Sequence, residues 1–216
     1  MKKNTIIFDL DGTLLNSLED LTDSTNFALK CLNYPPKTID EVRNFVGNGV
    51  AKLIERAIPY GSKNENYAKC LNIFKEYYSK NMFNKTKPYN GIISMLNTLK
   101  NNNIKIAVVS NKFDNAVKFL CEKYFSGLID FAIGENEKNG INKKPAPDTV
   151  FIALQKLNAK KENAFYIGDS EVDIQTAKNS GIECISVTWG FKDREFLLKH
   201  GAKNIINSPE EIINYL

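Results

Sequence analysis

From Pro88 onward, short apolar runs alternate with stretches of helical periodicity, and few folds accept that order. Helix is expected over Ile92–Asn101, strand over Ile104–Val109, helix over Asn115–Phe125 and a short strand over Phe131–Ile133. Helix Asp148–Leu157 leads to strand Ala164–Ile167, and helix Ile174–Ser180 to strand Glu183–Val187. A last strand, Asn204–Ile206, precedes helix Glu210–Tyr215. Such alternation with short links implies a parallel sheet covered on both faces. Strand Thr5–Leu10 opens the chain and belongs to the same sheet.

Between these parts the pattern is helical throughout. Leu18, Leu21, Ala28, Leu29 and Leu32 recur at helical spacing, with Ser17 as N-cap. Pro35-Pro36 breaks that helix. Thr38 and Glu41 have the spacing of a capping box for a short helix through Val46, which Gly47-Asn48-Gly49 ends. Further helices are expected from Val50 to about Ile58 and from about Asn66 to Asn81. The expected architecture is a doubly wound, Rossmann-like α/β core built from residues 1–15 and 83–216. An α-helical cap domain, residues 16–82, is inserted after the first strand and its motif.

Composition narrows the function. No apolar run approaches the ~20 residues that span a bilayer. The stretch after Met1-Lys2-Lys3-Asn4 is too short for a signal-peptide core, so a cytoplasmic protein is expected. The four cysteines are scattered, without metal-pair spacing, and are expected to be reduced and packed. A net charge of +4 without a dense basic block gives no footprint for nucleic acid. His200 is the one histidine; it falls late in a surface helix, which leaves little room for His-dependent triads or HExxH zinc chemistry.

Four polar segments carry the chemistry. They are Asp9-Leu10-Asp11-Gly12-Thr13-Leu14, Ser110-Asn111-Lys112, Lys144-Pro145, and Gly168-Asp169-Ser170-Glu171-Val172-Asp173. Three of them sit just past the C-terminal end of an expected strand, the edge where open α/β sheets bind ligands. Alternation lets Asp9 and Asp11 point to one side. Acids so close repel, and a divalent cation with oxygen preference, such as Mg²⁺, relieves the repulsion.

The four segments, in this order, resemble the haloacid-dehalogenase superfamily, in its phosphatase branch. The resemblance implies that Asp9 is a nucleophile forming an aspartyl-phosphate and that Asp11 is a general acid and base. Lys144 would compensate charge at the nucleophile and phosphate. Asp9, Asp169 and the Asp11 backbone carbonyl would bind Mg²⁺, and Asp173 and Ser170 would support the metal site. Thr13, Ser110, Asn111 and Lys144 would contact phosphate. Dehalogenases and cation-pumping ATPases of this superfamily lack an acid at the position of Asp11.

Val46-Gly47-Asn48-Gly49-Val50, Pro88-Tyr89 with Gly91, Lys144-Pro145-Ala146-Pro147 and Val187-Thr188-Trp189-Gly190 extend the likeness to the phosphoglycolate phosphatase group. Asn16 stands where that group carries Asp. Arg43, Gly47 and Asn48 are the candidates for selecting a small phosphorylated metabolite with a carboxylate. Pyrophosphatase, sugar-phosphate or nucleotide phosphatase and phosphomutase activities remain open on this scaffold, as does a non-catalytic role. The expected assembly is a monomer or homodimer, with neither membrane nor nucleic acid as partner.

Overall fold

The computed structural model describes residues 3–216; Met1 and Lys2, which open the N-terminal stretch considered above, lie outside it. In chain order the elements are β1 (Thr5–Phe8), β2 (Leu15–Asn16), α1 (Leu18–Cys31), α2 (Ile39–Phe45), α3 (Val50–Ala57), α4 (Tyr67–Asn81) and β3 (Lys87–Pro88). They continue with α5 (Ile92–Asn101), β4 (Lys105–Phe113), α6 (Asp114–Phe125), β5 (Phe131–Glu135), α7 (Asp148–Lys156), β6 (Ala164–Gly168) and α8 (Glu171–Ser180). β7 (Glu183–Val187), α9 (Arg194–Lys199) and β8 (Asn204–Ile206) follow, and the chain closes with a 3₁₀ turn, Pro209–Tyr215. Two compact units result, residues 1–15 with 88–216, and residues 16–87.

The first unit holds a six-stranded sheet in the order β5-β4-β1-β6-β7-β8. Its neighbouring strands pair in parallel. β1 lies at the centre, with Phe8 opposite Val108 on one side and Ile167 on the other. The chain builds outward from β1 through β4 and β5, then returns to β1's other flank with β6. That reversal is a topological switch point, and the end of β1 lies at it. The sheet's central strands, β1 and β6, are buried along their whole length, which is why they read as unbroken apolar runs. Ile7, Ala107, Val109 and Tyr166 pack with Val150, Ala153 and Leu154 of α7 and Ala177 of α8.

In the second unit, α1 and α4 pack together, with Phe27 stacked on Tyr77 at a ring separation of 4.0 Å. Leu21, Leu29, Leu53, Ile54 and Phe74 are buried. The Thr38–Glu41 capping box forms in both directions, at 3.2 and 2.8 Å.

Four local expectations need correction. The final segment is a 3₁₀ turn, with Pro209 at its start. α8 begins at Glu171, because Ser170 and Asp173 form a capping box that starts the helix early. β4 runs on to Phe113, so Ser110-Asn111-Lys112 lies within a strand that outlasts its pairing with β1. The cysteines are free, but Cys31 is exposed at the end of α1 while Cys70 and Cys121 are buried. No helix among the described residues is long and apolar enough to cross a membrane.

Candidate active site

Asp9 N–H donates to Ile167 O at 2.9 Å, which carries the sheet ladder one residue past β1 and places Asp9 on the sheet's C-terminal edge. The chain then folds back sharply: Leu14 N–H and Leu15 N–H both reach Leu10 O, at 3.0 and 2.9 Å. Gly12 makes the turn at φ +84°, and a Cβ there would occupy the space of the Asp169 carboxylate. Gly12→Ala therefore meets two costs, left-handed backbone strain of ~1–3 kcal/mol and displacement of Asp169. Lower thermal stability is expected, measured by the midpoint of thermal unfolding.

Lys144 and Asp173 form the buried centre. Lys144 Nζ lies 2.9 Å from Asp9 Oδ1, 2.8 Å from Asp173 Oδ1 and 3.0 Å from the Tyr166 hydroxyl. Tyr166 in turn donates to Asp173 Oδ1 at 3.1 Å. The other Asp173 oxygen accepts from Ser170 N–H at 3.1 Å and Ser170 Oγ at 2.6 Å. Burial opposes the Lys144 charge, but Asp173 and Asp9 outweigh it and hold the ammonium well above the usual lysine range. Lys143 instead reaches Glu137 at 3.0 Å on the exposed side.

The Ser110-Asn111-Lys112 segment joins the same edge. Ser110, Asn111 and Lys112 are all buried. Asn111 Nδ2 donates to Lys144 O at 3.0 Å, tying this segment to Lys144. Lys112 Nζ meets both Asp11 carboxylate oxygens, at 2.9 and 2.8 Å.

Asp169 is held by Phe191 N–H at 2.7 Å, with the Thr13 hydroxyl at 3.5 Å from its other oxygen. Thr13 is fully buried, so its hydroxyl faces Asp169, while its carbonyl accepts from Trp189 Nε1 at 2.9 Å. Burial raises the Asp9 pKa from 3.8 to about 7; Lys144 pulls it down, and Asp173 and Asp11 push it up. Burial, then Asp173 and Asp9, place Asp169 well above the ordinary carboxylate range, against the Phe191 hydrogen bond.

These groups fit a divalent cation. Asp9, Asp169 and Asp173 bring carboxylate oxygens within 4.8 Å of one another, all buried. When ionised, Asp9, Asp11, Asp169 and Asp173 exceed the charges of Lys112 and Lys144 by two, which one dication cancels. Hard oxygen donors of this kind suit Mg²⁺. The oxygens of Asp173 are already engaged by Lys144, Tyr166 and Ser170, which leaves Asp9 and Asp169 better placed as direct donors.

A family model, haloacid dehalogenase-like hydrolase, matches residues 6–187. The chain belongs to that family. Among its relatives, the phosphoglycolate phosphatase of Aquifex aeolicus is 33% identical over 187 residues, 86% of this chain and 85% of the relative. The phosphoglycolate phosphatase of Psychrobacter arcticus is 29% identical, across all of this chain and 96% of its own length. A solved structure from Lactobacillus delbrueckii subsp. bulgaricus superposes with a TM-score of 0.93 at 37% identity, covering 98% of this chain and 97% of its own.

In this haloacid dehalogenase-like hydrolase, Asp9, Asp11, Thr13, Ser110, Asn111, Lys144, Asp169, Ser170 and Asp173 all fall in the first unit. Arg43, Gly47 and Asn48 fall in the second. There Arg43 pairs with Asp40 at 2.7 Å on an exposed face. Asn48 Oδ1 accepts from Arg56, which also donates to Phe45 O, each at 2.8 Å. Sequence reasoning missed Tyr166, Arg56 and the Phe191 N–H, and named Lys112 only as part of its segment, without its partner Asp11. Tyr166 carried a signal: a phenol inside an apolar strand needs a buried hydrogen-bond partner.

Proposed function

We propose that this chain is a Mg²⁺-dependent phosphatase that hydrolyses a small phosphomonoester, 2-phosphoglycolate above others, through an aspartyl-phosphate on Asp9. The observation that carries this reading is the Asp9 carboxylate, buried at the switch point with the Lys144 ammonium 2.9 Å away and Asp169 beside it. The names of the relatives, matched over most of their length, support the substrate.

Asp9 attacks phosphorus, and the bond from phosphorus to the ester oxygen breaks. Asp11 gives that oxygen its proton, then takes one from the water that hydrolyses the aspartyl-phosphate. Lys144 offsets negative charge at Asp9 and on the transferring group. Ser110 and Asn111 hold phosphate oxygens, with Thr13 completing the loop beside Asp169. Asp9, Asp169 and the Asp11 carbonyl would hold Mg²⁺, supported by Asp173 and Ser170; when bound, the ion lowers the repulsion between nucleophile and phosphate.

The helical unit would act as the cap, with Arg43, Gly47 and Asn48 selecting a small carboxylate. An exposed pair such as Arg43–Asp40 contributes ~1 kcal/mol at most, so a substrate carboxylate can displace Asp40.

The test is phosphate release from 2-phosphoglycolate, glucose phosphates, pyrophosphate, nucleoside monophosphates and p-nitrophenyl phosphate, with Mg²⁺ and with chelator. The expected kcat/KM for 2-phosphoglycolate is at least about tenfold above the others, and chelator should abolish turnover. Equal activity on all of them removes the substrate from the reading. A folded, metal-loaded protein inactive on every one removes the reaction.

A further inference from the structure

The Lys112–Asp11 contact has no role in the reaction above. Lys112 comes from a strand, and its neighbours fix it there. β4 loses β1 as a partner after Val108, and its register against β5 shifts between Val109 and Phe113. Irregularities of this kind re-aim side chains near active sites. β5 approaches closely at Gly134, where a Cβ would come within 2.5 Å of Lys112 O and of the Asp114 backbone. Gly134 N–H also donates to Asp114 Oδ1 at 3.0 Å. The backbone of Lys112 is therefore held from the β5 side, and its side chain is 2% exposed.

Burying an ammonium costs several kcal/mol unless close pairing offsets it. Here the pairing is two-point, one contact to each oxygen of Asp11. Among the described residues the two buried lysines are thus divided between the acids: Lys144 stands at Asp9 and Asp173, Lys112 at Asp11. The cluster of carboxylate oxygens that could bind a cation contains Asp9, Asp169 and Asp173 and omits the Asp11 side chain. Both Asp11 carboxylate oxygens are engaged by Lys112 instead.

We propose that Lys112 is a positioning residue that holds the Asp11 carboxylate out of the cation cluster and in place for proton transfer. This rests on the phosphatase reading, in which Asp11 serves the leaving group. Lys112 acts through Asp11, so its effect must follow the need for a proton. An alkyl phosphate leaves as a basic alkoxide and needs the proton; p-nitrophenyl phosphate leaves as a stabilised phenolate and needs it far less.

The test measures kcat/KM with Mg²⁺ for 2-phosphoglycolate and p-nitrophenyl phosphate, in wild type, Lys112→Met, Asp11→Asn and the double variant. General acid–base catalysis supplies ~10²–10⁴-fold, and losing its alignment should remove about 10–100-fold of that for the alkyl ester. The aryl ester should lose much less. In the Asp11→Asn background, Lys112→Met should change the alkyl rate less than about twofold, as expected for two residues acting as one unit. Equal losses for both esters, or an undiminished loss in the Asp11→Asn background, would overturn the proposal. Should Lys112→Met fail to fold by circular dichroism, Lys112→Gln keeps a donor of similar length and is held to the same criteria. A wild type inactive on both esters sinks the phosphatase reading and this proposal with it. An active wild type with independent losses sinks only the role of Lys112.

Discussion

Asp9→Asn is expected to lower kcat by on the order of 10⁴-fold or more, as removal of a nucleophile does, while the metal-free protein becomes more stable. Both halves come from one environment. The carboxylate is buried at the sheet edge, where burial outweighs Lys144 and lifts its pKa from 3.8 to about 7. In the unfolded chain the same group ionises near 3.8. Between about pH 4 and pH 7 the unfolded state therefore releases a proton that the folded state retains. Wild-type stability falls across that window and stays lowered above it. Asn carries no charge and escapes the loss. Thermal unfolding in chelator should show a gain in Tm for Asp9→Asn at pH 8 that shrinks toward zero near pH 4. On the proposed reading, in which Mg²⁺ is held by Asp9 and Asp169, added Mg²⁺ should reverse the order at pH 8, since the variant offers the cation one carboxylate fewer. Turnover within tenfold of wild type would place the nucleophile elsewhere.

The central strands β1 and β6 were legible because they are buried along their whole length and so read as apolar runs. The capping box at Thr38 and Glu41 was legible because it is local, three residues apart, with a fixed chemistry. Asp9 and Asp169 could be singled out because an acid just past a strand end has few structural uses. Lys112 could not. A lysine after a strand looks the same in sequence whether it ends in solvent or, as here, on an acid 101 residues away. Phe191 was invisible for another reason: its backbone N–H holds Asp169, and a backbone donor leaves no trace in residue type. The early start of α8 had a signal that went unused, since Ser170 and Asp173 have the spacing of a cap. Arg56, one helix after Arg43, braces the Phe45–Asn48 loop through a backbone carbonyl and a side-chain oxygen, contacts that residue type alone does not announce.

Lys144→Met should cost about 3–5 kcal/mol of stability, the range for leaving buried charge without its partner. The neighbouring Lys143→Met should stay within about 0.5 kcal/mol. The two residues are adjacent and chemically identical, so the difference isolates burial. Lys143 meets Glu137 with a third of its side chain exposed, where water replaces what the pair loses. Lys144 joins Asp9 at the end of β1, Tyr166 on β6 and Asp173 on α8. Removing its ammonium leaves two carboxylates facing each other in a buried site, and a phenol without its lysine contact. Part of the cost is recovered if Asp9 takes up a proton, which its raised pKa favours, so the loss should be larger at pH 8 than at pH 6. For a chain of this size ~3–5 kcal/mol corresponds to a fall in Tm on the order of 10 °C. Phosphatase activity should vanish in Lys144→Met and survive in Lys143→Met. Equal, small losses for both variants in thermal unfolding would mean that the network around Asp173 is not a source of stability. Its lysine would then serve chemistry alone.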